Sequence, residues 1–233
     1  MKKTFPATFQ TKLDQFRKDA CVTLPKKEYD ELYDSFDVVA IWQNHFEHSY
    51  GELTGLTHHS NPDDPPDVVA HFTDGNVDIE HTIIEPSHVK KAYTLHRKNG
   101  GGARASMPIS HKPANKQEMM EIMYAPGHPK AWENISDELE SRLNLILERT
   151  RVKMEKYPPG GLLLLSGDLF GDGFEQHMIE DAFNRISSFP NIDIWTVAIM
   201  SRWNDEEFYS ALWSREIGFK SILQNYGKPP VVK

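Results

Sequence analysis

"PPDVVAHFTDGNVDIEHT", residues 65–82, reads as two short strands joined by a tight turn. Apolar and polar residues alternate on both sides of Asp74-Gly75, the dipeptide that best tolerates the positive φ angles of a type I′ two-residue loop. Such a loop pairs Thr73 with Asn76, His71 with Asp78, Val69 with Glu80 and Asp67 with Thr82. Successive side chains of a strand point to opposite faces, so one face carries Asp67, Val69, His71, Asp78, Glu80 and Thr82. The other carries Val68, Ala70, Phe72, Val77, Ile79, His81 and Ile83, apolar enough to lie on a core with His81 hydrogen-bonded inside it. Three carboxylates thus share the first face, with Asp67 and Glu80 as diagonal cross-strand neighbours. A one-residue change of register would put these two on opposite faces.

Working outward, residues 26–50 hold Leu32, Phe36, Val39, Ala40, Trp42 and Phe46 at helical spacing and predict one long helix ending near Gly51. A shorter helix is expected over 8–20, and a short strand over 53–57 within an otherwise loop-rich connection. Beyond the hairpin, an amphipathic helix is predicted from Ser136 to Tyr157, stopped by Pro158-Pro159. "LLLLS" (162–166) is a buried strand by its unbroken apolarity, residues 174–187 form a helix, and "IDIWTVAIM" (192–200) a second buried strand. Strand, helix, strand at this length implies a parallel pair with a right-handed crossover. Residues 203–233 are expected to add a short helix and a polar tail. The fold class is therefore α/β, or α+β in that its sheet is mixed: an antiparallel hairpin over 67–84, then parallel strands, with helices on the faces. With no internal repeat and no low-complexity linker, residues 1–233 are expected to form one domain whose N-terminal part, 1–50, is helical.

The composition, 39% hydrophobic and 26% charged over 233 residues, is that of a globular chain rather than a disordered one. No apolar run approaches the roughly 18–20 residues that span a bilayer, so no membrane association is expected. The N-terminal "MKKTFPATFQ" has no apolar segment or small-residue cleavage site after its lysines, and the expected location is the cytoplasm. Cys21 is the only cysteine, which excludes a disulfide or cysteine-zinc framework within one chain. The net charge of −8 argues against a protein that coats nucleic acid with its whole surface. Yet residues 86–117 contain no acid and seven cations: Lys90, Lys91, Arg97, Lys98, Arg104, Lys112 and Lys116. An anionic ligand is expected to be met at that one place.

Two carboxylates on adjacent strands supply hard oxygen ligands in a rigid frame, which is what a divalent ion needs when it assists phosphodiester hydrolysis. "PPDVV" followed after a turn by "VDIEHT" resembles the PD-(D/E)xK nuclease superfamily, the restriction-endonuclease-like fold, and the predicted element order resembles that family's core over about residues 28–200. The resemblance implies a nuclease acting on DNA, or RNA, with Mg²⁺ or Mn²⁺ held by Asp67 and Glu80. It implies DNA ahead of RNA as the partner, and a homodimer where both strands are cut. His81 takes the variable middle position. The departure is Thr82, which stands where the family pattern has lysine; Lys90 or Lys91 would then supply the cation from the neighbouring segment. A further metal-binding acid from the first core helix would be Glu47 or Glu52, and Arg97, Lys98, Arg104 and Lys112 would grip phosphates.

A catalytically inactive version of the same fold, serving as a nucleic-acid-binding or protein-interaction module, is the alternative that Thr82 suggests. A histidine-metal hydrolase is a third reading, since His45, His48, His58 and His59 cluster in sequence, but their spacing matches no zinc pattern. "GDLFGDG" (167–173) lacks the spaced acids of a calcium loop, and "NGGGARAS" (99–106) lacks the GK[ST] of a P-loop.

Overall fold

The structure, a computed structural model, describes residues 3–6, 26–59, 65–100, 107–124, 135–157, 160–167, 176–202, 207–225 and 231–232. In chain order the elements are β1 (Lys3–Pro6), α1 (Lys26–Ile41), α2 (Gln43–Tyr50), β2 (Leu53–His58), β3 (Val68–Phe72), β4 (Asn76–Ile83), α3 (Ser87–Lys98), α4 (Lys116–Tyr124) and α5 (Ile135–Lys156). There follow β5 (Gly161–Ser166), α6 (Gln176–Ile186), a 3-10 turn (Ile192–Ile194), β6 (Trp195–Arg202), β7 (Glu207–Ser214), β8 (Gly218–Asn225) and β9 (Val231–Val232). The nine strands form one mixed sheet in sequence order, with β4, β5 and β6 parallel and the other neighbours antiparallel. The α/β class with a mixed sheet is as expected. The helix expected over 8–20, together with Cys21, Arg104, Asp168 and Asp172, lies outside the described residues. Among the described residues no helix is long and apolar enough to cross a membrane.

The central strand β5 explains how the layers assemble. Leu162 and Leu164 join Leu32, Phe36, Val39, Trp42 and Phe46 of α1 and α2 on one face of the sheet. Leu163 and Leu165 join Leu143, Ile146 and Met154 of α5 and Ile179, Phe183 and Ile186 of α6 on the other. A strand buried on both faces must be apolar at every position, which is why "LLLL" carries no alternation. Each of these fully buried leucines contributes about 1.5–3 kcal/mol by leaving water. The faces of the hairpin are as the alternation predicts: Val68, Ala70, Phe72, Val77 and Ile79 pack under α1 and α2, and Glu80 looks toward α5.

The N-terminal part, expected to be helical, opens with strand β1, which pairs with β2 at the edge of the sheet. Three further details differ from expectation. The hairpin register is shifted: Val69 pairs with Asp78 and His71 with Asn76, leaving residues 72–75 as the connection. The turn is wider because its amides are used by the preceding segment. Thr73 N–H donates to Glu52 O and Asp74 N–H to Tyr50 O, both at 2.9 Å, while Phe72 N–H donates to Gly75 O at 2.8 Å. The helix over 26–50 is divided at Trp42, whose indole N–H donates 2.9 Å to Ser210 Oγ on β7; α2 starts again beyond it and lays Phe46 against Phe72. The segment expected to hold a short helix, 203–233, instead contains β7, β8 and β9. Tyr209 and Ala211 face α5 and α6 while Leu212 faces α1, so apolar residues on both faces conceal the strand period.

Helices α3 and α4 form an arm between β4 and α5 with a small core of Val89, Ala92, Met107, Met119 and Ile122. Glu138 on α5 tethers it. The buried carboxylate accepts the amides of Ile109 (2.9 Å) and Ser110 (2.8 Å) and pairs with Arg142 at 3.2 Å. Burial pushes the Glu138 carboxyl up, but the Ser110 and Ile109 amides outweigh it and hold it below the usual glutamate range. A depressed folded-state value contributes stability that is present above the unfolded value of 4.5 and lost as pH falls through the folded one. Protection of the Ile109 and Ser110 amides relative to their intrinsic exchange should therefore fall below pH 4.5 in the wild type, and should already be low at pH 7 in Glu138→Ala.

Gly161 fixes the approach of β5 to β4. Its φ is +142°, and a Cβ there would lie 2.6 Å from the carbonyl oxygen of Asp78. At Gly100, with φ +76°, a Cβ would meet nothing within 4 Å. Gly161→Ala should thus lose about 1–3 kcal/mol in denaturant titration, clearly more than Gly100→Ala, which bears only the conformational cost of its left-handed backbone.

Candidate active site

The shifted register brings Asp67 directly opposite Glu80, because Val68 pairs with Ile79 one step along the ladder. A shift by two residues preserves the faces, so the carboxylates become direct rather than diagonal neighbours. Asp67 precedes β3, and its Oδ2 accepts the backbone N–H of His81 at 2.9 Å. The short polar side chain thereby closes the open end of the hairpin and is held in place by it.

Glu80 lies in the middle of β4, 4% exposed. Its Oε1 accepts a short hydrogen bond from Lys153 Nζ, and the same ammonium lies 3.9 Å from Asp67 Oδ2. Glu80 Oε2 is buried and has no hydrogen-bond partner. Isolating a carboxylate from water costs several kcal/mol, which the single ammonium only partly offsets. Burial pushes the Glu80 carboxyl above the usual glutamate range; Lys153 opposes the rise, and the Asp67 carboxylate adds to it. A cleft of about 80 Å³ opens beside it, lined by Pro65, Pro66, Asp78, Tyr157, Gly160 and Trp195. That is room for several waters.

On the opposite face, acids of α1 brace the same end of the sheet. His81 is buried, with Nε2 3.1 Å from Asp34 Oδ2 and 2.7 Å from Ser166 Oγ. It is a satisfied core histidine, as its face implies. His58 Nε2 lies 3.0 Å from Glu31 Oε2, and Lys27 Nζ lies 3.0 Å from Glu31 Oε1. Burial pushes Glu31 up, but its bonds to His58 and Lys27 outweigh this and hold it below the usual range.

The other residues singled out in the sequence lie elsewhere. Thr82 is on the face of Glu80, one pleat further along β4, beside Leu165. Glu47 accepts a hydrogen bond from Gln43 at 2.6 Å on α2, and Glu52 sits at the turn end of the hairpin, about 20 Å along the strand from Asp67. Neither adjoins the carboxylate pair, because the first-helix acids at that end are those of α1. Lys90, Lys91, Lys98 and Lys112 line a separate groove on the arm, and Arg97 is exposed on α3. The cation that meets Glu80 is thus Lys153 rather than Lys90 or Lys91. A signal for it exists in the sequence: Ile146, Thr150 and Lys153 follow one another at spacings of four and three, so the lysine falls on the buried stripe of α5.

Among the described residues no group of three or more His, Cys, Asp or Glu side chains is arranged to hold a metal. Asp67 and Glu80 alone are a hard-oxygen pair with one orphaned buried oxygen and adjoining space for water. That donor set fits a hydrated Mg²⁺ or Mn²⁺, which takes one or two carboxylates and fills its remaining positions with water and phosphate. It does not suit zinc. No protein-family model matches the chain, and neither the curated proteins nor the solved structures yield a match to it.

The unusual cost of Glu80 gives a direct test. A folded-state pKa above the unfolded 4.5 means that ionising the group costs stability as pH rises through that window. Glu80→Gln should therefore melt higher than wild type at pH 7 in chelator, with the gain vanishing below pH 4.5. Millimolar Mn²⁺ should raise Tm for the wild type and leave Glu80→Gln unmoved.

Proposed function

We propose that this chain is a divalent-metal-dependent nuclease that hydrolyses phosphodiester bonds of DNA, or of RNA, on a restriction-endonuclease-like core. The observation that carries the reading is the meeting of Asp67, Glu80 and Lys153, with Glu80 Oε2 buried and unpartnered. The order α1, the β3–β4 hairpin, α5, β5, α6, β6, with α2, β2, α3 and α4 interposed, supports it, being the helix, hairpin, helix, strand, helix, strand order that the PD-(D/E)xK resemblance implies. Thr82 in place of the pattern's lysine counts against it only until the cation is sought in space, since Lys153 reaches Glu80 from α5.

In this reading Asp67 and Glu80 would hold Mg²⁺ or Mn²⁺, which would supply neutralisation of phosphate charge and acidification of water. The protein's own contribution is placement. The His81 amide fixes Asp67, Asp34 and Ser166 fix His81, and Lys153 holds Glu80, so both carboxylates are oriented before substrate arrives. Lys153 donates to Glu80 and lies over the ring of Tyr157, which lines the cleft, and from there its ammonium can orient the attacking water or a non-bridging phosphate oxygen. Water adds to phosphorus, the bridging P–O bond breaks, and the leaving oxygen takes a proton, giving a phosphate monoester and a hydroxyl end.

Labelled single- and double-stranded DNA and RNA, incubated with Mg²⁺, Mn²⁺ or chelator, test this. Cutting should require the metal and fall at least about 100-fold in Asp67→Ala, Glu80→Ala and Lys153→Met, each with wild-type circular dichroism. Lys90→Ala/Lys91→Ala should keep the wild-type kcat, any change falling on KM. Metal-independent cutting, or full activity in the Glu80 variant, contradicts the proposal. The inactive-module reading, which Thr82 favours, predicts nucleic-acid or protein binding with no cutting on any substrate.

A further inference from the structure

The arm carries a groove of about 640 Å³ between α3 and α4 with five lysines in its wall: Lys90, Lys91, Lys98, Lys112 and Lys116. Among the described residues no carboxylate lines it. Three acids of the arm and its tether are turned to other work. Glu118 accepts Ala114 N–H at 2.7 Å and pairs with His111 at 3.1 Å, Glu121 accepts Gln117 Nε2 at 3.0 Å, and Glu138 holds the amides of Ile109 and Ser110. In a chain of net charge −8, five ammoniums have been gathered and kept clear of the abundant carboxylates. Like charges about 10 Å apart repel by roughly 0.4 kcal/mol per pair even in water, a repulsion that a polyanion seated among them relieves.

We infer that this groove binds the sugar-phosphate backbone of a nucleic-acid strand, at a site separate from the Asp67–Glu80 pair. The spacing and the chemistry both favour a strand over a compact anion. Lys91 and Lys98 are seven residues apart on α3, about 10 Å along the helix, the axial length of roughly three phosphates of one strand. The lysines are exposed point charges on flexible stems, suited to tracking a backbone without reading bases. Two of the amides at the start of α4 that could help cradle a single phosphate are already engaged. Glu118 N–H donates to Asn115 Oδ1, and Ala114 N–H to Glu118. The groove deepens the nuclease reading and rests on it only for the consequence that the bound strand is the one cut. The Glu138 tether joins it to α5, the helix that also carries Lys153.

The test separates binding from chemistry by working in chelator. Fluorescein-labelled 30-nucleotide single strands and duplexes are titrated by anisotropy with the whole chain, with Lys90→Gln/Lys98→Gln/Lys112→Gln, and with Lys220→Gln as a control outside the groove. The triple variant should bind at least 10-fold more weakly near 0.1 M salt, and its log–log salt slope should be shallower by about 2–3, at about 0.7–0.9 per phosphate contact. Lys220→Gln should match the wild type. Equal binding by the triple variant and the wild type overturns the groove assignment, even if metal-dependent cutting is intact. Weakened binding with no cutting under any metal upholds the groove and refutes the nuclease reading alone. Loss of inorganic tripolyphosphate binding in the triple variant, with oligonucleotide binding unchanged, overturns the strand in favour of a small anion.

Discussion

Burying the Glu80 carboxylate at the centre of β4 is the constraint around which one end of this molecule is arranged. A lone carboxylate there would be intolerable, so the fold brings Lys153 from a helix seventy-three residues away and accepts Asp67, a second negative charge, across the ladder. Packing alone would be served better by an apolar residue among the leucines of β5. The arrangement leaves one Glu80 oxygen without a partner and keeps both acids within reach of one ammonium. Structure spent in this way is typical of a site whose charge is completed by a ligand.

The supporting shell is built in the same sense. Asp67 is anchored by the amide of the residue after Glu80, His81 is wedged between Asp34 and Ser166, and Glu31 takes His58 and Lys27 on the neighbouring turn of α1. Helix α1 therefore does more than cover the sheet with Leu32 and Phe36. Its polar side also fixes the end of β2, β3 and β4 at which the carboxylates meet.

Much of this was legible in the sequence because it depends on short periods. The two-residue alternation of "DVVAHF" and "VDIEHTI" assigned the faces, and that assignment survived a wrong turn type because the true register differs by an even step. The apolar run of β5 and the helical stripes of α5 and α6 announced the parallel core. What escaped depended on distant partners. The turn at 72–75 is set by the amide bonds of Thr73 and Asp74 to residues 50 and 52, and the break at Trp42 coincides with a hydrogen bond to Ser210. Strands β7 and β8 carry apolar residues on both faces, so neither period stands out. Lys153 lies far from the hairpin in sequence, on the buried stripe of a later helix, and only the packing of α5 on the sheet brings it to Glu80.

The most direct measurement is anomalous diffraction at the manganese edge from crystals soaked in Mn²⁺, for the wild type and for Glu80→Gln. The account predicts a peak between Asp67 and the orphaned Oε2 of Glu80 in the wild type, with the Lys153 ammonium displaced from its present contact, and no peak in the variant. A wild-type map with no density there, and Lys153 still seated on Glu80, would show that the pair is a buried ion bridge and would contradict the metal-dependent site.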